Sequence, residues 1–277
     1  MSTPTPGRTW VDSAPPIEPY RYGLFSVASF QDGVGPWQAR GVEYFTDACA
    51  QGGYVIGSCP APVGDDGDTT HDKPLAQGPY LAEGSDPFTV YARSECNAVG
   101  FEDPVGDARR RLGLIEEREA EEFFSAHVLG AEDPVLPNDD DALTLKRAVG
   151  VLEQHAARNY GGAPTLHTPR WTNPYFNDRR LLEDPDVTGA PLLTRLGSRV
   201  VFGGSYLDDP FTPDTPAAAD TFWLVATGSV RGWRSDAFVN ETFTPETNLR
   251  MALAERTYAL DADCYRAAVL VTVGGED

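Results

Sequence analysis

Lysine is almost absent from this chain: Lys73 and Lys146 are the only two in 277 residues. Cysteine and histidine are nearly as sparse, with four of each. Cys49, Cys59, Cys96 and Cys264 are never spaced as C-x-x-C, and His71, His127, His155 and His167 do not cluster with them. The cysteines therefore read as buried thiols packing as small hydrophobes in a reducing compartment, with zinc or a disulfide as the alternatives. No apolar run approaches the ~18 residues of a membrane span. The opening "MSTPTPGRTWVDSAPP" lacks a basic region followed by an apolar core. That pattern predicts a soluble protein made in a cytoplasm, with no membrane partner. Basic residues are outnumbered by acidic ones, 22 to 42, for a net charge of −20. Such a field opposes binding to nucleic acid or anionic lipid.

Catalytic signatures are missing too. There is no G-x-x-x-x-G-K-[ST], G-x-G-x-x-G or H-E-x-x-H pattern, so nucleotide binding and zinc-protease chemistry have no support. "FGGSYLD" (202–208) places Ser205 after two glycines but lacks the G-x-S-x-G elbow; Gly203-Gly204 read as a strand end or bulge. Carboxylates abound, among them Glu116, Glu117, Glu119, Glu121, Glu122, Asp139, Asp140 and Asp141. A glycosidase needs two of them in one cleft with separated proton affinities, and no pair stands out. The runs at 116–122 and 139–141 read instead as a solvated helix face and a helix start. "DDGD" (65–68) resembles part of a calcium loop without the remaining ligands or the bidentate glutamate. No catalytic, cofactor-binding or metal-ligating residue is assigned, and no enzyme is expected.

What is present is a folded composition, 41% hydrophobic and 10% aromatic, in a chain long enough for one large or two small domains. Residues 1 to about 20, rich in Pro, Ser and Thr, read as an arm with no core of its own. "YRYGLFSVASF" (20–30) reads as a stretch docked on a neighbour or on the body. From 41 to 96 the pattern is a two-stranded excursion. Val42, Tyr44 and Phe45 open it, Tyr54-Val55-Ile56 resume after a turn, and Phe88, Val90 and Ala92 line one side of the return. Its acidic, Gly- and Pro-containing tip, 63–87, reads as exposed and mobile. The tip and residues 1–20 are expected to order mainly through neighbouring subunits.

Asp103-Pro104 then starts the clearest element, an N-cap followed by proline at the first helical position. Val105, Ala108, Leu112, Ile115, Ala120, Phe123 and His127 recur at helical spacing, predicting a helix of about 25 residues that ends near Gly130. A second helix is predicted within 137–162, with Asp139–Asp141 at its positive end, Gly161-Gly162 as its stop, and Ala142, Leu145, Val149, Leu152 and Ala156 inward. A short helix broken at Pro174 is expected in 168–184, and a buried strand around Val200-Val201-Phe202. A strand pair joined at Thr227-Gly228 and a closing pair within 255–273 follow. Trp171, Tyr175 and Phe176, with Phe222, Trp223 and Trp233, read as core and subunit interface. No repeat is found, and partly segregated helices and strands point to an α+β fold.

Three stretches carry a resemblance: "LLTRLGSRVVFGGSY" (192–206), "WLVATGSVRGWRSDAF" (223–238) and "NLRMALAERTYALDADCYRAAVLVTV" (248–273), the last with Asn248, Glu255, Arg256 and Tyr258 in order. With the element order, they resemble the major capsid proteins of tailed bacteriophages with the Hong Kong 97-type fold, particularly those of actinobacteriophages. The resemblance implies an N-terminal arm at 1–40, an extended β loop at 41–100, and the spine helix of a peripheral domain at 101–137. It further implies an axial domain at 138–225 and, at 226–277, C-terminal strands completing the axial and peripheral domains, the last strands rejoining the periphery. Such subunits assemble as hexamers and pentamers into an icosahedral shell around phage DNA, which the acidic surplus would repel and not bind. Portal, scaffolding or decoration proteins are the implied partners, and the virion the implied location after synthesis in a bacterial cytoplasm. Some relatives crosslink a loop lysine; Lys73 lies in the loop tip, yet no partner asparagine or acidic catalyst is identified. No scaffolding segment is visible in 1–40. The rival readings are an encapsulin-like nanocompartment shell, a minor virion protein of head or tail, and a hydrolase using an unassigned carboxylate pair.

Overall fold

A computed structural model describes residues 17–33, 35, 41–44, 83–97, 103–131, 134–183, 190–213, 218 and 220–273. Most of the loop tip at 63–87, including Asp65–Asp68, His71 and Lys73, lies outside the described residues, as do residues 1–16, Cys49, Cys59 and Tyr54-Val55-Ile56.

After a 3-10 turn at Leu24–Ser26 the elements run β1 (Ser29–Asp32), β2 (Val42–Tyr44), β3 (Glu83–Ser85), β4 (Pro87–Asn97) and α1 (Pro104–Phe124). They continue as β5 (Pro137–Asp140), β6 (Leu143–Thr144), α2 (Leu145–Asn159), β7 (Thr165–Pro169), α3 (Asn173–Asp178), β8 (Leu182–Glu183), β9 (Leu192–Thr194) and β10 (Arg199–Gly203). The chain closes with β11 (Thr221–Thr227), β12 (Val230–Arg234), β13 (Phe238–Thr244), β14 (Leu249–Ala262) and β15 (Arg266–Thr272). Helices and strands mix in an α+β architecture.

Two sheets carry the fold. In one, β14 is the axis: β4 lies along one side of it, β13 and then β12 along the other, and β1 adds in parallel to β12. The second runs β6-β15-β11-β7-β10-β9-β8. Its central strands are buried on both faces, which is why β10 reads as a continuous apolar run and not as an alternation. Phe222, Leu224, Val200 and Phe202 point to a core under α2 and α3, while Val201, Val225 and Ala268 point to a core under the end of α1.

Helix α1 forms for the reasons legible in its sequence. Asp103 Oδ1 accepts the Gly106 N–H at 2.8 Å, and Pro104 occupies the first turn, where its missing N–H has no partner to lose. Ala108 and Leu112 pack on β4 and β14, whereas Ala120 and Phe124 enter the core shared with the other sheet, so this single helix ties both sheets together. Beyond Phe124 it widens into a π turn, Ser125–Leu129, closed by the Gly130 N–H on Ser125 O at 3.1 Å.

Several expectations are corrected. The second helix begins at Leu145; residues 137–140 form β5, and Ala142 is exposed. Residues 134–144 run beside β15, with β6 paired to it, so β-pairing takes the segment that the aspartates suggested was helical. Pro174 is the second residue of α3, in its first turn, and does not break it. The pair expected at Thr227-Gly228 and the closing pair are both divided between the sheets: β11 and β15 pair with each other, and β12 and β14 likewise. The last strand therefore enters the second sheet and does not join the first. Both crossings happen side by side, with Gly228 N–H on Tyr265 O at 2.9 Å and Asp263 N–H on Ser229 O at 3.0 Å. A Cβ at Gly228 would lie 2.7 Å from that of Asp263, so glycine is required where the chain changes sheets. The segment 20–28 docks on the chain's own body, with Leu24 fully buried and the Tyr20 hydroxyl on Glu121, whereas residues 17–19 are exposed.

Candidate functional site

The acidic face of α1 is not simply solvated. Glu121 is 0% exposed and is the junction of three segments. Its carboxylate accepts the Leu24 N–H at 3.0 Å and the Tyr20 hydroxyl at 2.8 Å from the N-terminal segment. It also accepts the N–H groups of Gly204 and Ser205 at 2.6 and 3.2 Å from the loop after β10. One turn earlier, Glu117 accepts the Phe25 N–H at 3.1 Å. A Cβ on Gly23 would lie 2.5 Å from an oxygen of each carboxylate, so only glycine lets the segment approach. The segment is further held by the Phe202 N–H on Tyr22 O at 2.8 Å and by Arg170 donating to Arg21 O at 2.9 Å. Burial pushes the Glu117 carboxyl up to about 7, with the Glu121 charge adding and the Phe25 N–H opposing. Burial also pushes Glu121 up, while its four donors pull it back.

A second tie joins α1 to β14. Glu116 accepts from Arg256 at 2.7 Å and from the Tyr258 hydroxyl at 2.8 Å. Tyr258 stacks near Phe88 of β4 and Phe25, with Phe30 edge-on, so one ring gathers three segments. These are the Arg256 and Tyr258 that the closing motif singled out; they hold structure.

His167, in β7, is 1% exposed between Tyr206 Oη at 3.1 Å from Nδ1 and Thr227 Oγ1 at 2.8 Å from Nε2. Burial, with the charge of Arg266, holds its imidazole down at about 3 against an ordinary 6.5. The neutral ring thus contributes stability that is present above 6.5 and is lost as pH falls toward 3. The His167 ring resonances are expected to stay unshifted between about pH 8 and about pH 5 in a two-dimensional NMR titration; a midpoint near the free-histidine value would contradict this.

Other candidates scatter. Ser205 engages Glu121 through its backbone N–H, and Glu116, Glu117 and Glu121 of α1 hold structural partners. His127 shares the cleft between the π turn and the β14–β15 corner with Asp261, Asp263 and Arg266. There burial raises the Asp261 carboxyl to about 6, opposed by the Ala262 N–H and the Tyr44 hydroxyl. Among the described residues no group of three His, Cys, Asp or Glu side chains could hold a metal ion, and no helix is long and apolar enough to cross a membrane. Cys264 is disulfide-bonded, correcting the expected thiol. Phe176 and Phe222 are fully buried, whereas Trp171 and Tyr175 are 41% and 37% exposed and form a T-shaped pair on the surface.

No protein-family model and no curated protein sequence matches the chain. Solved structures do. The capsid of a native GTA particle, computed with C5 symmetry, superposes with a TM-score of 0.55 at 11% identity, covering 97% of this chain and 95% of the other. The capsid of Ralstonia phage GP4 gives 0.53 at 8% identity, covering 99% and 96%. A structure from Mycobacterium phage Che8 gives 0.52 at 10% identity, covering 98% of both chains. The fold is that of phage capsid subunits. In this capsid fold, α1 packs on both sheets, and the ties at Glu116 and Glu121 fasten β14, the N-terminal segment and the loop after β10 to it. At 8–11% identity the likeness resides in the fold and not in the sequence.

Proposed function

We propose that the chain is the major capsid protein of a tailed phage, assembling as hexamers and pentamers into an icosahedral shell around DNA. The observation that carries this reading is a correspondence to phage capsid structures running the length of both chains. The C5 symmetry of the GTA capsid supports a fivefold vertex for this chain as well. On this reading residues 1–40 are the arm, 41–100 the extended loop and 101–137 the spine of the peripheral domain. Residues 138–225 are the axial domain, and 226–277 supply strands to both. The exposed Trp171–Tyr175 pair suits burial against a neighbouring subunit. The net charge of −20 keeps packaged DNA off the wall, so the genome is enclosed without specific binding. The role is structural, located in the virion after synthesis in a bacterial host, with portal, scaffolding or decoration proteins as partners.

Negative-stain electron microscopy of the purified chain, with its mass measured in solution, tests the reading. Closed shells, or free hexamers and pentamers, are expected. A monodisperse monomer that ignores both concentration and crowding agents would sink it. Shells that enclose an enzyme cargo in place of DNA would turn it toward a nanocompartment, and incorporation in low copy number toward a minor virion protein.

A further inference from the structure

We propose that Glu117 and Glu121 form a proton-gated latch: one proton held between the two carboxyl groups tightens residues 20–28 onto α1, and its loss loosens them. The two side chains are one helical turn apart and converge on the same spot, since a Cβ built on Gly23 would lie 2.5 Å from Oε1 of each. Their donors are unequal. Glu121 accepts four hydrogen bonds from the surrounding segments and Glu117 a single one, from the Phe25 N–H. Glu121 is thereby suited to stay ionised and Glu117 to carry the proton.

The charges around the pair do little to relieve it. Glu116 adds a further negative group from α1. The N-terminal segment contributes the Tyr20 hydroxyl, and the loop after β10 contributes Tyr206, whose own ionisation the glutamates oppose. Arg170, stacked over the Tyr20 ring at 4.9 Å, supplies the nearby positive charge. With both carboxylates ionised, two negative charges face each other across Gly23 in a largely buried space.

The direction follows from linkage. Glu117 binds its proton more tightly when the segment is docked, at about 7, than in water, at 4.5. Docking therefore strengthens as pH falls through 7 toward 4.5 and is weakest above 7. This inference does not depend on shell formation, because the latch lies within one chain and can be read below the assembly concentration.

Hydrogen exchange of the full-length chain, corrected for intrinsic rates, is the test. Protection of residues 20–28 is expected to fall about tenfold between about pH 5.5 and about pH 8, while that of α2 changes less. Glu117→Gln keeps an acceptor for the Phe25 N–H but cannot ionise, and is expected to keep the higher protection at both values. Glu122→Gln, on the exposed side of α1, should behave as the parent. Equal protection of the parent at both values, or the parent's pH response retained in Glu117→Gln, would overturn the latch. If Glu117→Gln does not fold by circular dichroism, Tyr20→Phe decides: it removes a donor from Glu121 and should move the transition to higher pH, and an unmoved midpoint would refute the proposal.

Discussion

Glu121→Ala should lower the thermal midpoint by roughly 10 °C, equivalent to about 3–4 kcal/mol. The mechanism is the removal of one acceptor from four donors at once. Two come from the N-terminal segment, Tyr20 Oη and Leu24 N, and two from the loop after β10, Gly204 N and Ser205 N. Leu24 is fully buried, so water cannot replace the lost partner there, and an unsatisfied buried N–H costs about 1–3 kcal/mol. Gly204 is exposed and its N–H can turn to solvent, which keeps the total below a sum over four bonds. Glu121→Gln should recover only part of the loss. Its amide presents one oxygen where the carboxylate presents two, and sets N–H donors against N–H donors. Glu122→Ala, one residue on and exposed, should change stability by less than about 0.5 kcal/mol. Differential scanning calorimetry of the three variants checks this, and a Glu121→Ala midpoint within about 2 °C of the parent would contradict the junction.

Tyr258→Ala carries the second large effect, about 3–5 kcal/mol by urea denaturation. The ring is 1% exposed, with Phe88 centred 5.6 Å away, Phe25 at 6.0 Å and Phe30 at 6.3 Å. Truncation leaves a cavity where β14, β4 and the N-terminal segment meet, and these three backbones cannot all close on it. Tyr258→Phe separates packing from polarity: it keeps the ring, deletes the hydroxyl bond to Glu116 at 2.8 Å, and should cost about 1–2 kcal/mol. Arg256 still pairs with the same Glu116 oxygen in that variant, so the carboxylate is not orphaned. Equal losses for the two variants would show that the hydroxyl, and not the packed ring, holds the joint.

Both effects fall on residues whose type was visible and whose role was not. Glu121 belongs to the run 116–122, which looks like the wet side of an amphipathic helix. Its donors come from positions 97 and 83 residues away, beyond the reach of any local pattern. Tyr258 drew notice as part of a closing motif, yet nothing local says that it faces Phe25 and Phe88. The one structural hint in the sequence was Gly23, a small residue inside an aromatic stretch. Its meaning emerges only once two carboxylates are seen to fill the space that a side chain would need.

The sequence alone determined the start of α1, through an Asp-Pro cap that acts within four residues. It determined most of the inward positions of both helices too, Ala108, Leu112 and Ala120 in α1 and Leu145, Val149, Leu152 and Ala156 in α2, because burial follows helical periodicity whatever the partner is; His127 and Ala142 are exposed instead. Strand runs were legible for the same reason, and the order of elements was enough to suggest the capsid fold. Only the tertiary structure decided which strands pair. β11 and β12 are neighbours in sequence, as are β14 and β15, and adjacency argues for hairpins. The crossing at Gly228 and Asp263 instead sends the members of each pair to different sheets. Alternation reports that a strand has a buried face, but not which strand lies beside it, since that is set by contacts distant in the chain. The same holds for buried charge. A glutamate's place on a helix is written locally, while the backbone N–H groups that cover it arrive only when the chain has folded.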